Sequence, residues 1–390
     1  MYDILVVGSG FSGSIMARRF AEEHGFSVLL LEQRSHIGGN MYDERNEHGI
    51  LVQKYGPHFI NTDRYWIIEY LSCYSELVEH TTKLLSFIDG NYVQLPFNFK
   101  TLQQLVTPAK SELLLKKMRT CFAGRDRVPI FELVEHSDTD IRDYGELLFN
   151  KAYKTYVAKQ WGMSPSKIDK SVLNRVPMAM NYDERYLNKD FQYLPKDGFT
   201  KLFENILNHP NITVRLNCNA LKKLTFDEVS HTVRYDREDF KQVIFTGAID
   251  ELFNQCFGAL PYRSLDIHYN TEKCESLIPG EIVSYPQAKG YTRRTEYKKL
   301  NYPPLHTEYT TVATEYPLDY DRDAKIGNQP YYPVNTQDSD CIYKKYLQKS
   351  LYYKNLFLCG RLAEYKYYNM DAVIESTFEK YQKLEQILGL

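Results

Sequence analysis

The sequence predicts an α/β fold built on a dinucleotide-binding unit, and three observations near the N-terminal end carry the prediction. Ile4–Val7 is a short apolar run that opens directly into Gly8-Ser9-Gly10-Phe11-Ser12-Gly13. A helical pattern continues through Ala17 and gives way to a second apolar run, Val28–Leu31. Glu32 closes that run, and the doublet Gly38-Gly39 follows shortly after. Strand, helix and strand in this order make a βαβ unit with parallel strands.

Each part has a chemical reason. Gly8 permits the tight strand-to-helix turn, Gly10 lets the backbone approach a pyrophosphate, and Gly13 lets the helix pack on the strand. Phe11 and Ser12 open the helix, whose free N–H groups and partial positive charge suit phosphates. The Glu32 carboxylate can accept both ribose hydroxyls and would repel a 2′-phosphate, which disfavours NADP. The segment from Gln33 to Asn40, with Gly38 and Gly39 inside it, lets the chain lie flat along a long cofactor and argues for FAD over NAD.

Further along, an extended segment over 50–55 ends at Gly56-Pro57-His58. Residues 64–78 and 101–120 have helical apolar spacing. Between them Leu84–Ile88 and 92–95 flank Asp89-Gly90-Asn91, a hairpin signal, and Leu95-Pro96-Phe97-Asn98 then leaves the sheet. Residues 140–162 read as helical, and Ser164 before Pro165 reads as the start of another helix. A helix over 199–209 follows Asp197-Gly198. Strands are expected at 214–216, Thr232–Tyr235, 243–246, 262–269, 281–285 and 307–316. Residues 355–360 read as a buried strand ending in Gly360, and a final helix runs from Met370 to the end. The dinucleotide-binding pieces are therefore discontinuous, with one helical and one sheet-rich insertion.

Composition narrows the function. With 48 Lys+Arg against 50 Asp+Glu there is no overall field toward nucleic acid or an anionic membrane, so no nucleic-acid partner is expected. An anionic ligand must be held by a few local arginines. No stretch approaches the roughly 18 apolar residues of a membrane span, and no signal peptide is visible. The 7 cysteines are scattered without a C-x-x-C pair, which reads as reduced thiols in a cytoplasmic protein and gives no reason to expect a metal. The 33 Tyr against 2 Trp suit a polar, ring-bearing ligand. A chain of 390 residues has room for two or three subdomains.

Several strings, in order, go beyond the glycine pattern: His36-Ile37-Gly38-Gly39-Asn40, Tyr55-Gly56-Pro57-His58, Leu95-Pro96-Phe97-Asn98, Lys159-Gln160-Trp161-Gly162, Tyr291-Thr292-Arg293, Tyr331-Tyr332-Pro333-Val334-Asn335, and Gly360-Arg361-Leu362-Ala363-Glu364-Tyr365-Lys366-Tyr367-Tyr368. On these the chain resembles the bacterial UDP-galactopyranose mutase family over essentially its whole length. The resemblance implies an FAD-binding Rossmann-like domain (1–65, 196–255 and 336–390). It adds a helical insert (100–170) and a twisted antiparallel sheet insert (78–98, 172–195 and 260–335). It implies a redox-neutral isomerase that interconverts the pyranose and furanose forms of a nucleotide-linked sugar, UDP-galactopyranose and UDP-galactofuranose first. Reduced FAD is implied as the nucleophile, its N5 attacking the anomeric carbon and displacing the nucleotide diphosphate. NAD(P)H or another reductant, a homodimer and a role in cell-surface polysaccharide biosynthesis come with the same resemblance.

A diphosphate leaving group requires cationic charge, and the planar fork of Arg suits it. Arg175 and Arg293 fall where the family has its two essential arginines, whereas Arg294 lacks that support and reads as solvated. Tyr156, Trp161 and Tyr186 match base-side residues. Tyr316, Tyr367 and Arg361 match positions at the phosphates or the flavin–sugar interface, and Thr82 is a further substrate-side candidate. His58 matches a residue over the isoalloxazine, with Phe59 beside it. Tyr368, Asn369, Met370, Asp371, Ala372 and Val373 open the last helix and should donate N–H groups to the cofactor.

Four departures concern the sugar and the base. Asn61 stands where the family has a second His, and Ser284 replaces an Asn before a loop over 284–290 that is one residue short. Phe191 replaces a Tyr, and Met178-Ala179-Met180 replaces a more polar run. dTDP-fucopyranose and UDP-N-acetylgalactosamine therefore remain alternative substrates. The N-terminal motif alone also fits an amine-oxidase-like flavin oxidoreductase or a non-catalytic FAD-bearing protein.

Overall fold

In the computed structural model of the chain, residues 2–162 and 177–390 are described, the side chain of Trp161 aside. Strand Ile4–Val7 leads into helix Phe11–His24, and strand Val28–Leu31 runs parallel beside the first. Along the first strand Ile4 and Val6 face one cluster and Leu5 the other, the period-2 alternation of a sheet covered on both faces. The five-stranded parallel sheet has the order Ile212–Arg215, Val28–Leu31, Ile4–Val7, Gln242–Phe245, Leu356–Leu358. Helices Phe11–His24 and Met370–Leu388 cover one face through Met16, Phe20, Tyr381 and Leu384. Phe20 is fully buried there, a gain of about 1.5–3 kcal/mol over exposure.

A second sheet of seven strands has the order Tyr332–Pro333, Tyr262–Glu272, Thr310–Asp319, Arg293–Glu296, Ile282–Ser284, Leu84–Ile88, Asn91–Leu95. The expected antiparallel sheet is antiparallel except at one place: Ile282–Ser284 and Leu84–Ile88 run parallel. These two strands are remote in sequence, so no hairpin turn dictates their relative direction. The hairpin itself forms as read, with Asp89 at φ 48° and Gly90 at φ 82° supplying the left-handed pair of a tight turn.

Against Ile88 and Val93 of the second sheet lies a helical layer around Leu102, Leu114, Met118, Leu133, Tyr144 and Leu148. The single helix expected over 101–120 is two, Phe99–Leu105 and Pro108–Cys121. Pro108 starts the second helix, and Val106 ahead of it is extended. The helix expected over 64–78 stops at Ser72, and Leu77–Glu79 instead joins Phe191–Pro195 and Ile60–Thr62 in a three-stranded antiparallel sheet. The helical stretch 140–162 is interrupted by a π-type turn at Phe149–Tyr153. The start read at Pro165 lies outside the described residues. Helix Gln337–Leu351 has no counterpart in the sequence reading; it buries Ser339, Tyr346 and Ser350 and packs Ile342, Tyr343 and Leu347 partly against the same core. Among the described residues no helix is long and apolar enough to cross a membrane.

Candidate active site

The glycine loop is shaped by close approach. A Cβ on Gly13 would sit 1.9 Å from the Gly8 carbonyl oxygen, and one on Gly8, at φ +100°, would sit 2.1 Å from Thr246 Oγ1. Gly10 differs: nothing lies within 4 Å of its missing Cβ, and it caps helix Phe11–His24 without a side-chain bond. The doublet lies against this loop, with Gly38 N–H donating to the Ser9 carbonyl at 3.1 Å and a Gly39 Cβ 3.2 Å from Gly10 Cα.

Together these segments wall a cleft of about 630 Å³. Gly8, Gly10, Phe11, Ser12, Glu32, Gln33, Gly38, Gly39 and Asn40 line one side. Arg361 and Val373 line another, and residues 320–331 of the sheet insert reach across through Tyr320, Gln329 and Tyr331. Glu32 is buried and accepts from Ser9 N–H at 3.0 Å, Ser9 Oγ at 2.7 Å and Arg34 N–H at 3.0 Å. Arg34 donates from Nη2 to Asn40 at 2.9 Å and to Gln329 at 2.6 Å, with its guanidinium over the Tyr55 ring at 4.4 Å. Its Nη1 is buried with no hydrogen-bond partner among the described residues. Such a donor requires an acceptor. A cleft of this size, with open space at Gly10, a buried acid and an unpaired guanidinium edge, fits an FAD. Arg34 is a cleft residue that the sequence reading missed, although a cation between the acid and the glycine doublet was a usable signal.

At the start of the last helix Asn369 is the N-cap without a side-chain bond, and Met370 packs against the same cluster as Phe11. Asp371 accepts the Ala372 N–H at 2.9 Å and lies 3.5 Å from Arg64. Tyr368 turns its hydroxyl to Glu364 at 3.0 Å, and its carbonyl accepts from Arg361 Nη2 at 2.5 Å.

The second half of the site is a cation in a ring of phenols. Arg293 is paired across the sheet with Ser284 on one strand and Glu315 on the other. Its Nε and Nη2 donate to the two Glu315 oxygens at 2.9 and 2.7 Å, a bidentate pair with Glu315 buried. Burial works against the guanidinium charge, but Glu315 outweighs it and holds the group above its ordinary pKa. Burial pushes the Tyr156 and Tyr186 phenols up, and the Arg293 charge pulls both the other way. Tyr332 is pushed up to about 12 by burial and by Tyr367, with which it stacks at 5.4 Å. These phenols therefore remain protonated donors at neutral pH. Arg361 lies 5.5 and 5.6 Å from the Tyr332 and Tyr367 rings and donates to the Tyr331 carbonyl at 3.2 Å.

His58 joins the cation and the cleft. Its Nδ1–H donates to the Gly56 carbonyl at 2.8 Å, which leaves Nε2 as an acceptor. Gln53 grips its peptide, accepting the His58 N–H at 2.5 Å and donating to its carbonyl at 3.3 Å. Burial, then the charges of Arg361 and Arg293, lower its pKa to about 3, so the imidazole is neutral. A Cβ on Gly56 would lie 3.5 Å from Arg293 Nη2, which measures how closely this turn approaches the cation.

The other candidates are spread around this cluster. Asn61 Oδ1 and Thr82 Oγ1 are buried without hydrogen-bond partners among the described residues, and the Thr82 carbonyl accepts the Tyr186 N–H at 3.0 Å. Ser284 is buried at the end of its strand. Tyr316 lies 5.9 Å from Tyr291 and 4.8 Å from His268. Phe59 stacks on His80 at 5.5 Å. Arg294 is half-buried and interacts with Tyr285, so it is not simply solvated. Arg175 and the Trp161 side chain lie outside the description. Two departures prove to be packing: Phe191 rests on Tyr65, and Met178, Ala179 and Met180 sit in or against the helical core. Glu315 and Gln53 were missed, since a buried acid inside an alternating strand gives no local signal.

A family model described as UDP-galactopyranose mutase matches residues 151–367, and one described as an NAD(P)-binding Rossmann-like domain matches residues 6–73. The dTDP-fucopyranose mutase of Escherichia coli is 35% identical over 381 residues, 97% of each chain. The UDP-galactopyranose mutase of Mycoplasma pneumoniae is 32% identical over 388 residues, 99% of this chain and 96% of that one. This chain belongs to the UDP-galactopyranose mutase family. It is an isomerase, a flavin-dependent sugar mutase, and its cofactor is FAD. The fold of a reduced UDP-galactopyranose mutase superimposes on this mutase with a TM-score of 0.72 at 13% identity, covering 100% of this chain and 94% of that one. Likeness to the flavin-containing amine oxidase A of Bos taurus, 46% identical, is confined to 48 residues, 12% of this chain. In sequence, that relative therefore shares the cofactor motif with this mutase and not the site strings that follow it.

Proposed function

We propose that this mutase interconverts the pyranose and furanose forms of a nucleotide-linked sugar, with UDP-galactopyranose and UDP-galactofuranose as its pair. The observation that carries the reading is the half-buried Arg293, held bidentate by the buried Glu315 and surrounded by protonated phenols beside the cofactor cleft. Reduced flavin bound in that cleft would supply, at N5, the nucleophile for the anomeric carbon. The chain's own residues do the rest. Arg293, with Arg175 as its second cation, stabilises charge developing on the departing diphosphate. Tyr156 and Tyr186 donate hydrogen bonds without carrying charge, Tyr367 stands on the flavin–sugar side, and Trp161 with Tyr156 offers rings to the base. Neutral His58 keeps an acceptor at Nε2 for the cofactor side and adds no cation that would compete for the diphosphate. NAD(P)H or another donor would reduce the flavin. A cytoplasmic homodimer supplying furanose units for cell-surface polysaccharide belongs to the same reading.

A second substrate, dTDP-fucopyranose, is favoured by Ser284 and Asn61. The short, buried Ser284 and an Asn61 acceptor without a partner change the polar groups available to the sugar. The relative named dTDP-fucopyranose mutase matches 97% of the chain. The test is to incubate dithionite-reduced enzyme with UDP-galactofuranose, UDP-N-acetylgalactosamine and dTDP-fucopyranose and separate the products. The ring isomer of the substrate, pyranose from UDP-galactofuranose and furanose from the two pyranoses, should form without consumption of an electron acceptor, and oxidised enzyme should be inactive. Turnover that consumes an acceptor stoichiometrically would overturn the mutase reading.

A further inference from the structure

Tyr156 belongs to helix Lys154–Trp161, whereas Arg293 opens a strand of the second sheet that is reached through residues 285–292. One side chain ties the two. Lys159 Nζ donates to the carbonyls of Tyr285, Ala288 and Tyr291, each at 2.8 Å. An ammonium has three protons, so these three acceptors use all of them. The loop is wrapped around the cation, with Tyr285 N–H closing onto the Thr292 carbonyl at 2.8 Å. Lys159 stands three residues after Tyr156, on the same helix face. The end of the helix is held separately by the buried Arg263, which donates to the carbonyls of Gln160 at 2.9 Å and Lys159 at 3.2 Å. Gly162, at φ +63°, admits this contact, because a Cβ there would lie 2.4 Å from Arg263 Nη1. Arg263 thus fixes the helix to the sheet, and Lys159 alone of the two cations reaches the loop that leads into Arg293.

We propose that Lys159 is a positioning residue of the mutase: it sets the spacing between the nucleoside wall carried by Tyr156 and the diphosphate cation Arg293, so that one nucleotide reaches both. The inference rests on the reading of Arg293 as a diphosphate ligand. Its burial, which lowers Lys159 to about 8, marks it as an interior tie rather than a surface charge.

Calorimetric titration of FAD-loaded wild type, Lys159→Met and Lys159→Gln with UMP and UDP, and with dTMP and dTDP in parallel, separates the cases. Wild type should bind the diphosphate more tightly than the monophosphate. In Lys159→Met that preference should fall at least fivefold, with monophosphate affinity within about twofold of wild type and flavin content unchanged. Lys159→Gln, which keeps two N–H donors, should recover part of the preference, and it decides the matter if the Met variant does not retain flavin. An undiminished diphosphate preference in a folded variant overturns the positioning role. Equal binding of mono- and diphosphate by wild type overturns the reading of Arg293, and this inference with it.

Discussion

Arg293 keeps its charge in a place where a lone cation would be costly, because Glu315 spans its fork. The pair gives its removal two separable consequences. Arg293→Ala should raise the barrier by at least about 2–4 kcal/mol, as for loss of an oxyanion donor, with FAD still bound. It should also destabilise the fold by about 3–5 kcal/mol, because Glu315 is left buried and unpaired. Adding Glu315→Gln should return much of the lost thermal stability and none of the turnover. Near-normal turnover in Arg293→Ala would remove the residue from the site. His58 makes a pH prediction of definite sign. Its pKa is about 3 in the fold and about 6.5 in an unfolded chain, so between these values the unfolded state binds more protons. Stability conferred by the neutral ring is complete above about 6.5 and is lost as pH falls toward 3, with a slope of at most about 1.4 kcal/mol per pH unit. Urea melts at pH 7, 5.5 and 4 should show His58→Asn losing less on acidification than wild type, and identical losses would contradict a buried neutral imidazole.

At the scale of the element, the glycine loop offers two substitutions with opposite outcomes. Gly13→Ala drives a methyl into the Gly8 carbonyl at 1.9 Å, backbone against backbone. The cost should be about 3 kcal/mol or more, the upper range for overpacking, because neither strand nor helix can give way alone. Gly10→Ala meets no atom within 4 Å and keeps an ordinary φ of −71°. As apoprotein it should melt at the wild-type temperature, yet bind FAD at least tenfold more weakly, because its methyl occupies the approach to the phosphates. Urea melts of the apoproteins check the first and fluorescence titration with FAD the second, and a Gly10→Ala enzyme with wild-type affinity would place the pyrophosphate elsewhere.

For the whole molecule, the cofactor cleft is assembled from segments far apart in the chain: residues 7–12, 31–41, 218–221, 245–251, 320–331 and 360–373. A group that binds only when all are in place stabilises the complete fold by mass action, about 2.7 kcal/mol at a hundredfold excess over Kd. Removal of FAD should therefore lower the melting temperature in a concentration-dependent way, and should expose residues 320–331 to protease before the parallel sheet is cut. A melting temperature indifferent to added FAD would show that the folded cleft does not bind it.

The local sequence determined the elements whose reasons are local. The βαβ unit, the Asp89-Gly90 hairpin and the final helix follow from glycine placement, turn conformers and apolar period. The sequence strings also sufficed to place Arg293, His58 and Arg361 among the site candidates. Tertiary structure decided the rest. Leu77–Glu79 became a strand because an unsatisfied edge of Phe191–Pro195 was there to pair with it, and no residue nearby records that edge. Helix Gln337–Leu351 packs a short stripe of Ile342, Tyr343, Tyr346 and Leu347 on the core, and the buried Ser339 and Ser350 at its two ends dilute the apolar period. Glu315 and Lys159 act through partners 22 and 126–132 residues away. A charge buried by a distant counter-charge or a distant set of carbonyls looks, in sequence, the same as a solvated one.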